Sequence, residues 1–153
     1  MTRLQETIET TLPAAAAFAY LADFANSQEW DPGVASAERI DQGPVGVGAR
    51  YRLGVRIGNR VAPMEYRVSE FDPPNRVVLV GSGSGVSAVD SIVVQRTSTG
   101  TRIAYTADIN LGGFMRLIQP LLGGTFSRIA RDAAGGMQEQ LDARAAQPAA
   151  DRS

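Results

Sequence analysis

The stretch TRIAYTADINL, residues 101–111, alternates between apolar and polar side chains more clearly than any other part of the chain. Alternation with a period of two is typical of a β-strand with one buried and one solvated face. The side chains expected on one face are Thr101, Ile103, Tyr105, Ala107, Ile109 and Leu111. The stretch therefore predicts a strand that covers a core on one side.

Turn signals divide the preceding part of the chain into shorter stretches with a strand pattern. The pair Gly58-Asn59 predicts a hairpin turn, Asp72 to Asn75 ends the strand pattern before it, and Gly81 to Gly85 predicts a flexible turn. The strands predicted in this way cover about residues 2–11, 34–40, 50–57, 64–69, 77–80, 86–95 and 101–111. The sequence thus predicts seven strands.

Helical patterns lie on both sides of the strands. Pro13 begins a helix-forming segment at residues 14–23, and residues 26–30 predict a second short helix. From about Met115 to Ala143 apolar residues recur at helical spacing, so we expect a long C-terminal helix. Pro120 predicts a bend or a broken first turn within it.

Two glycine pairs, Gly123-Gly124 and Gly135-Gly136, fall inside this predicted helix. Each Gly costs a helix on the order of 1 kcal/mol relative to Ala. A close approach between helix and sheet, or room for a ligand, would justify that cost. A kink is the alternative.

The chain contains no Cys, no His and no Lys, since all 15 basic residues are Arg. These absences exclude thiol nucleophiles and thiolate metal sites, imidazole bases and ligands, and Schiff-base catalysis. We therefore expect no metal and no cofactor. Any catalysis would depend on Asp, Glu, Tyr, Arg, Ser, Thr or ordered water.

Length and charge restrict the class of protein further. At 153 residues we expect one domain at residues 1–144 and a disordered tail at residues 145–153. A net charge of -1 argues against a nucleic-acid partner. No apolar run approaches the roughly 18 residues of a membrane span, and residues 12–22 fit an ordinary helix better than a secretory signal. We expect a cytoplasmic monomer or homodimer without stable membrane insertion.

Local motifs support a family resemblance across residues 3–143. In chain order they are Ala22-Asp23-Phe24, Trp30-Asp31-Pro32-Gly33, the stretch GPVGVG at residues 43–48, Tyr66 to Phe71 before Asp72-Pro73-Pro74, and Gly100-Thr101-Arg102. The chain resembles the bacterial polyketide cyclase/dehydrase and lipid-transport branch of the START-like (SRPBCC) superfamily.

The resemblance implies an α+β helix-grip fold, a curved seven-stranded antiparallel sheet around a long C-terminal helix, in the order β-α-α-β-β-β-β-β-β-α. It also implies a ligand pocket between the concave sheet face and that helix.

Face parity within the strands and the helix gives candidate pocket residues. They are Tyr51, Leu53, Met64, Tyr66, Val68, Ile92, Val94, Ile103, Tyr105 and Ile109 from the sheet, and Phe114, Ile118, Leu122 and Phe126 from the helix side. Each alone could simply fill a core. Three tyrosines on the apolar face, however, bring hydroxyl groups that a packed core would have to satisfy.

Asp90 shares the face of Ile92 and Val94, which places a carboxylate where apolar residues are expected. It is the candidate catalytic residue, as a general base or a polar anchor for a ligand. Alternatively it reaches water at a strand end or pairs with an Arg, and this second environment, in which the carboxylate stays ionised, is the one we expect. Glu6 allows the same two interpretations.

Trp30 and Asp31 lie where the resemblance implies the pocket entrance. Trp30 would either pack the short helix or form a gate over the mouth of the pocket.

Three functions are consistent with these features. The first is binding or transport of a hydrophobic small molecule, lipid or polyketide-like, without covalent chemistry. The second is an aromatase/cyclase-like enzyme in which Tyr51, Tyr66, Tyr105 and Asp90 polarise a carbonyl and transfer protons. The third is a stress-related regulatory protein that acts through a partner, for which an exposed apolar patch would be the sign.

Overall fold

The computed structural model describes residues 2–113 and 115–147. Seven strands form one antiparallel sheet in the order β1-β7-β6-β5-β4-β3-β2. The strands are β1 Thr2–Thr10, β2 Val34–Arg39, β3 Arg50–Ile57, β4 Arg60–Asp72, β5 Arg76–Gly83, β6 Val86–Arg96 and β7 Thr101–Leu111. The prediction of seven antiparallel strands is confirmed.

Two register shifts help the sheet to curve. One lies between Val34 and Ser36 on β2, and the other between Val68 and Glu70 on β4. An extra residue on one strand of an antiparallel pair bends that strand and increases its twist. The concave face that results carries the apolar side of each strand.

Helices fill the concave side. Helix α1 covers Ala14–Ala22, a 3₁₀ turn covers Phe24–Asn26 and α2 covers Ser27–Trp30. The C-terminal helical region comprises α3 Met115–Ile118, a 3₁₀ turn Gln119–Leu122 and α4 Gly123–Ala145. The 3₁₀ turn contains Pro120, so the predicted break in the first turns is confirmed.

Helix α4 buries one stripe of side chains against the sheet and α2. Its buried residues are Phe126, Ala130, Ala133, Met137 and Leu141. They recur every three or four positions, which is the spacing of a single helix face. The helix-grip architecture implied by the sequence is therefore present. No helix within residues 2–113 and 115–147 is long and apolar enough to cross a bilayer.

The structure differs from the sequence prediction at one turn and at the C-terminal tail. The predicted turn at Gly81 to Gly85 is wrong in its first part, because β5 continues to Gly83 and Gly81 pairs with Tyr66 and Ala88. The predicted tail begins inside the structure, since α4 extends to Ala145, and residues 148–153 lie outside the described part.

The glycines of α4 have different surroundings. A Cβ atom at Gly136 would lie 2.0 Å from the carbonyl oxygen of Trp30, whereas nothing lies within 4 Å of one at Gly123, Gly124 or Gly135. Gly136 therefore allows a close backbone approach, as one sequence interpretation required, although the partner is α2 and not the sheet.

We predict that Gly136→Ala destabilises the fold by roughly 1–3 kcal/mol, because the methyl group would force α4 away from Trp30. The matched control is Gly135→Ala, which should be neutral or stabilising by up to about 1 kcal/mol, since Ala is the better helix former. Urea unfolding followed by circular dichroism measures both. Equal stability of the two variants would contradict the close contact.

Candidate functional site

A cavity of about 880 Å³ lies between the concave sheet face and the C-terminal helical region. Small-molecule pockets typically measure about 300–1,000 Å³. Its apolar wall includes Leu4, Phe24, Val34, Leu53, Val55, Met64, Val86, Ala88, Ala107, Ile109, Leu111, Ile118, Leu122, Phe126, Ile129, Ala130 and Ala133. The cavity is therefore mostly hydrophobic and large enough for a ligand.

The mouth of the cavity lies at the β3–β4 hairpin and α3. Ile57 and Val61 from the hairpin and Met115 from α3 line the cavity, and 41%, 55% and 40% of their surfaces are exposed. Lining residues farther inside, such as Leu53 and Met64, are buried. A ligand would enter between the hairpin and the helix.

Small side chains on β6 and β7 leave this space open, since Ala88 and Ala107 line the cavity. Gly81 on β5, which pairs with Ala88, makes room for a ring instead. A Cβ atom at Gly81 would lie 2.4 Å from the ring of Tyr66. Glycine is therefore required at this position for the Tyr66 ring to lie across β5.

The central polar feature is a pair formed by Asp90 on β6 and Tyr105 on β7. The Tyr105 hydroxyl donates a hydrogen bond of 2.8 Å to Asp90 Oδ2. Both residues line the cavity, and only 5% of Asp90 is exposed. Burial raises the pKa of Asp90 to about 7, the Tyr105 hydrogen bond opposes this rise, and the nearby Asp31 carboxylate adds to it.

The sequence prediction that Asp90 reaches water at a strand end or pairs with an Arg is wrong. Asp90 lies in the middle of β6, far from open water, and no Arg among the described residues forms a salt bridge with it. Residue parity correctly placed the carboxylate on the inner face. It could not show that none of the described arginines would form a salt bridge with this carboxylate.

Tyr66 supplies a second polar group to the cavity. Only 7% of the residue is exposed. Burial raises its pKa well above the ordinary value, and the charges of Asp90 and Asp31 act in the same direction. Among the described residues its hydroxyl has no hydrogen-bond partner, so it is available to a ligand.

Asp31 brings a second carboxylate to the cavity wall from the turn after α2. Burial raises its pKa to about 6, the Gly33 backbone N–H opposes this through a 2.8 Å hydrogen bond, and Asp132 on α4 raises it further. Asp132 lines the cavity edge as well. Asp132 itself is exposed to solvent.

Aromatic contacts hold the polar groups in place. The Trp30 ring lies edge-on to Tyr105 with centroids 5.7 Å apart, and Phe24 contacts Trp30 at 6.1 Å and Tyr66 at 5.2 Å. Only 1% of Trp30 is exposed. Its position corresponds to the packing interpretation of the sequence and not to a gate.

Most of the predicted pocket residues contribute to the cavity wall. The structure places nine there, namely Leu53, Met64, Tyr66, Asp90, Tyr105, Ile109, Ile118, Leu122 and Phe126. Phe114 lies outside the described residues. Glu6 is half-buried opposite Tyr105 on β1 and does not line the cavity.

Five predicted pocket residues lie elsewhere, and for them the expected position on the cavity wall is wrong. Tyr51, Val68, Ile92, Val94 and Ile103 point to the concave side but are packed in a solid core. The reason is that helices fill that part of the concave side. Helix α1 contacts β6, and the ring of Phe18 on α1 lies 5.5 Å from that of Phe71 on β4. The ring of Phe24 contacts that of Tyr51.

Sequence reasoning missed several wall residues, among them Leu4, Phe24 and Ala107. Parity gave a signal for Leu4 and Ala107, which share the inner faces of β1 and β7 with residues that were selected. Phe24 belongs to a 3₁₀ turn, for which periodicity gives no facing direction.

Known proteins resemble this chain in sequence or in fold. The sequence profile of the family described as polyketide cyclase/dehydrase and lipid transport matches residues 1–146. No curated protein sequence matches the chain.

Solved structures with the same architecture include the Zhui aromatase/cyclase from a Streptomyces species, with a TM-score of 0.79, 14% identity and 98% of each chain covered. A Thermus thermophilus protein also has a TM-score of 0.79, with 16% identity over 95% of this chain and 100% of that one. A START superfamily protein from Mycobacterium smegmatis has a TM-score of 0.76, with 12% identity over 91% and 96% of the two chains. At such identities the likeness shows a shared fold alone.

We predict that Asp90→Asn stabilises the protein increasingly as pH rises. Between its ordinary pKa of 3.8 and about 7 the unfolded carboxyl loses its proton while the folded one keeps it, so wild-type stability falls through this range. Asparagine does not ionise in this range. The free energy of unfolding of the variant should therefore rise by on the order of a few kcal/mol relative to wild type between about pH 4 and about pH 8. Urea unfolding across this range measures the difference.

The matched control is Asp108→Asn on the outer face, where the Arg3 hydrogen bond and charge lower the carboxyl pKa. The ion pair stabilises the fold above the ordinary carboxyl pKa, and this stabilisation is lost as pH falls through the lowered pKa of the folded state. Asp108→Asn should therefore lower the free energy of unfolding by at most about 1 kcal/mol, and only at higher pH. The same pH trend in both variants would contradict the buried state of Asp90.

Proposed function

Because the chain belongs to the polyketide cyclase/dehydrase and lipid transport family, we propose that it binds a hydrophobic small molecule in the cavity between the sheet and the C-terminal helix. The observation that carries this proposal is the cavity itself, about 880 Å³ with a mostly apolar wall. A protein core without a ligand role is normally filled to crystal-like density. A space of this size that opens at one end supports reversible entry of a ligand.

Burial of apolar surface would supply most of the affinity, at roughly 25 cal/mol for each Å² removed from water. The polar pair Asp90–Tyr105 and the Tyr66 hydroxyl would orient the ligand, because all three side chains are buried and line that wall. A carrier needs no more than this combination of an apolar wall and a few fixed polar groups.

The third hypothesis, a regulatory protein acting through a partner, has less support. Its sign would be an exposed apolar patch in place of an enclosed cavity. Leu117 and Leu121 are 75% and 83% exposed, but they lie close to the cavity mouth. Their position is consistent with ligand entry.

We predict that the uncharged fluorescent dye Nile red binds wild-type protein with a blue-shifted emission, and that Ala107→Phe weakens binding at least about tenfold by filling the cavity. The matched control is Ala104→Phe, three positions earlier on the same strand and on the opposite face. Fluorescence titration measures affinity, and circular dichroism confirms that both variants fold. Equal binding by the two variants would place the dye outside the cavity.

A second candidate function is acid–base catalysis of an aldol cyclisation or dehydration. The observation that favours it is the pKa of Asp90 of about 7, which lets this carboxyl accept or donate a proton near neutral pH. Tyr105 holds the carboxyl in place, and the Tyr66 hydroxyl could donate a hydrogen bond to a substrate carbonyl. The Zhui structure, which has the same fold, is named an aromatase/cyclase.

For this second candidate we predict that wild-type protein converts a synthetic poly-β-ketone thioester to an aromatic product, followed by absorbance. Asp90→Asn should then lower turnover by roughly 10² to 10⁴, the usual cost of a missing general acid or base, while Nile red still binds. The matched control is Glu65→Gln on the outer face, where the carboxylate binds Arg50, and it should leave turnover unchanged. Absence of turnover in wild-type protein, with binding intact, would favour the carrier.

A further inference from the structure

The buried polar groups of the cavity share one electrostatic character. Asp31 and Asp90 are carboxyls, and Tyr66 and Tyr105 are phenols. Within the described part of the cavity wall the basic residues are Arg56 and Arg60, both exposed at the hairpin mouth. The inner wall, as far as residues 2–113 and 115–147 form it, thus presents carboxylate and hydroxyl oxygens without a compensating cation.

The mouth arginines do not neutralise this interior. Arg56 Nε donates a hydrogen bond of 3.1 Å to the carbonyl of Pro32, and neither arginine forms an ion pair with Asp31 or Asp90. The charges that influence Asp90 are those of Asp31 and Asp108, and Asp31 in turn faces Asp132. Every one of these charges is negative.

Two polar groups of the cavity wall, the Asp90 carboxyl and the Tyr66 hydroxyl, have hydrogen-bonding capacity that the described residues do not use. Tyr105 donates to Asp90 Oδ2, and Oδ1 of the same carboxyl has no protein partner among the described residues. The hydroxyl of the buried Tyr66 is also unpartnered within that part of the chain. A group that donates an N–H or O–H to Asp90 would satisfy both the oxygen and its charge.

A metal ion is not the partner that this arrangement indicates. Among the described residues no three carboxylates converge closely enough to hold one. The free oxygens instead face an apolar chamber, which corresponds to an amphiphilic organic ligand.

We propose that the cavity selects an apolar chain that ends in an uncharged or cationic hydrogen-bond donor, an alcohol or an amine, and rejects anionic amphiphiles. This inference rests on the proposed binding function and adds to it the class of ligand. In this arrangement the donor contacts Asp90 Oδ1 and the Tyr66 hydroxyl, and the chain lies along the apolar wall. An anionic end would meet Asp90 and Asp31 in a site of low dielectric, where like charges repel strongly.

The test compares three ligands with the same ten-carbon chain, namely decanol, decylamine and decyl sulfate, below their micelle-forming concentrations. Isothermal titration calorimetry on the full chain at about pH 8 should give affinities for decanol and decylamine at least about tenfold above that for decyl sulfate. If none of the three binds, the binding function fails. If all three bind equally, only the proposed selectivity is overturned.

The pH dependence gives an independent arm, because the head groups of decylamine and decyl sulfate keep their charge from about pH 5.5 to about pH 8. Asp31 and Asp90 lose protons over this range, with pKa values of about 6 and about 7. Decylamine should therefore bind roughly tenfold more tightly at the higher pH, and decyl sulfate more weakly, since each pKa unit of coupling is a factor of ten. Parallel pH trends for both ligands would contradict the proposal.

Two variants locate the effect. Asp90→Asn should reduce both opposed pH trends, and Tyr66→Phe should weaken decanol and decylamine while leaving decyl sulfate unchanged. Glu65→Gln, which removes an exposed outer-face carboxylate that binds Arg50, is the matched control and should change nothing. Should Asp90→Asn fail to fold, the wild-type pH trends and Tyr66→Phe still decide the outcome.

Discussion

The contact between Gly136 of α4 and the Trp30 carbonyl connects the helix to the rest of the cavity wall. It brings two backbones together where any side chain would separate them, so it sets the distance between α4 and α2. Trp30 in turn contacts the ring of Tyr105, and Tyr105 holds Asp90 by a hydrogen bond. The position of the central polar pair thus depends on one glycine in a distant helix.

The helix is held firmly at one end and stands away from the sheet at the other. Met137 and Leu141, beyond Gly136, are fully buried in the core, whereas Phe126, Ile129 and Ala130 face the cavity. Small residues on the sheet floor beneath them widen the gap. The same tertiary arrangement therefore produces a dense core and an open chamber on a single concave face, and the chamber opens at the less tightly packed end.

The chemistry of the chamber follows from its low polarity. Asp90 can be buried without an ion partner because its carboxyl retains its proton up to about pH 7, which avoids the cost of an isolated buried charge. A carboxyl in this condition serves equally as an anchor for a hydrogen-bond donor and as an acid or base. The two proposed functions, binding and catalysis, would therefore depend on the same few atoms.

The sequence by itself determined the seven strands, the broken long helix and the inner-face position of Asp90, because alternation and helical spacing are local properties that record which face is apolar. It also determined, through the absence of His, Cys and Lys, which residue types are available for chemistry. Only the tertiary structure decided that Tyr66 lines the chamber while Tyr51 on the same face lies in solid core. It likewise decided that, within the described part of the chain, Asp90 meets a tyrosine and forms no salt bridge with an arginine. Parity specifies the direction of a side chain, whereas its neighbours across the layer come from α1, the Phe24 turn and α4, which are distant in sequence.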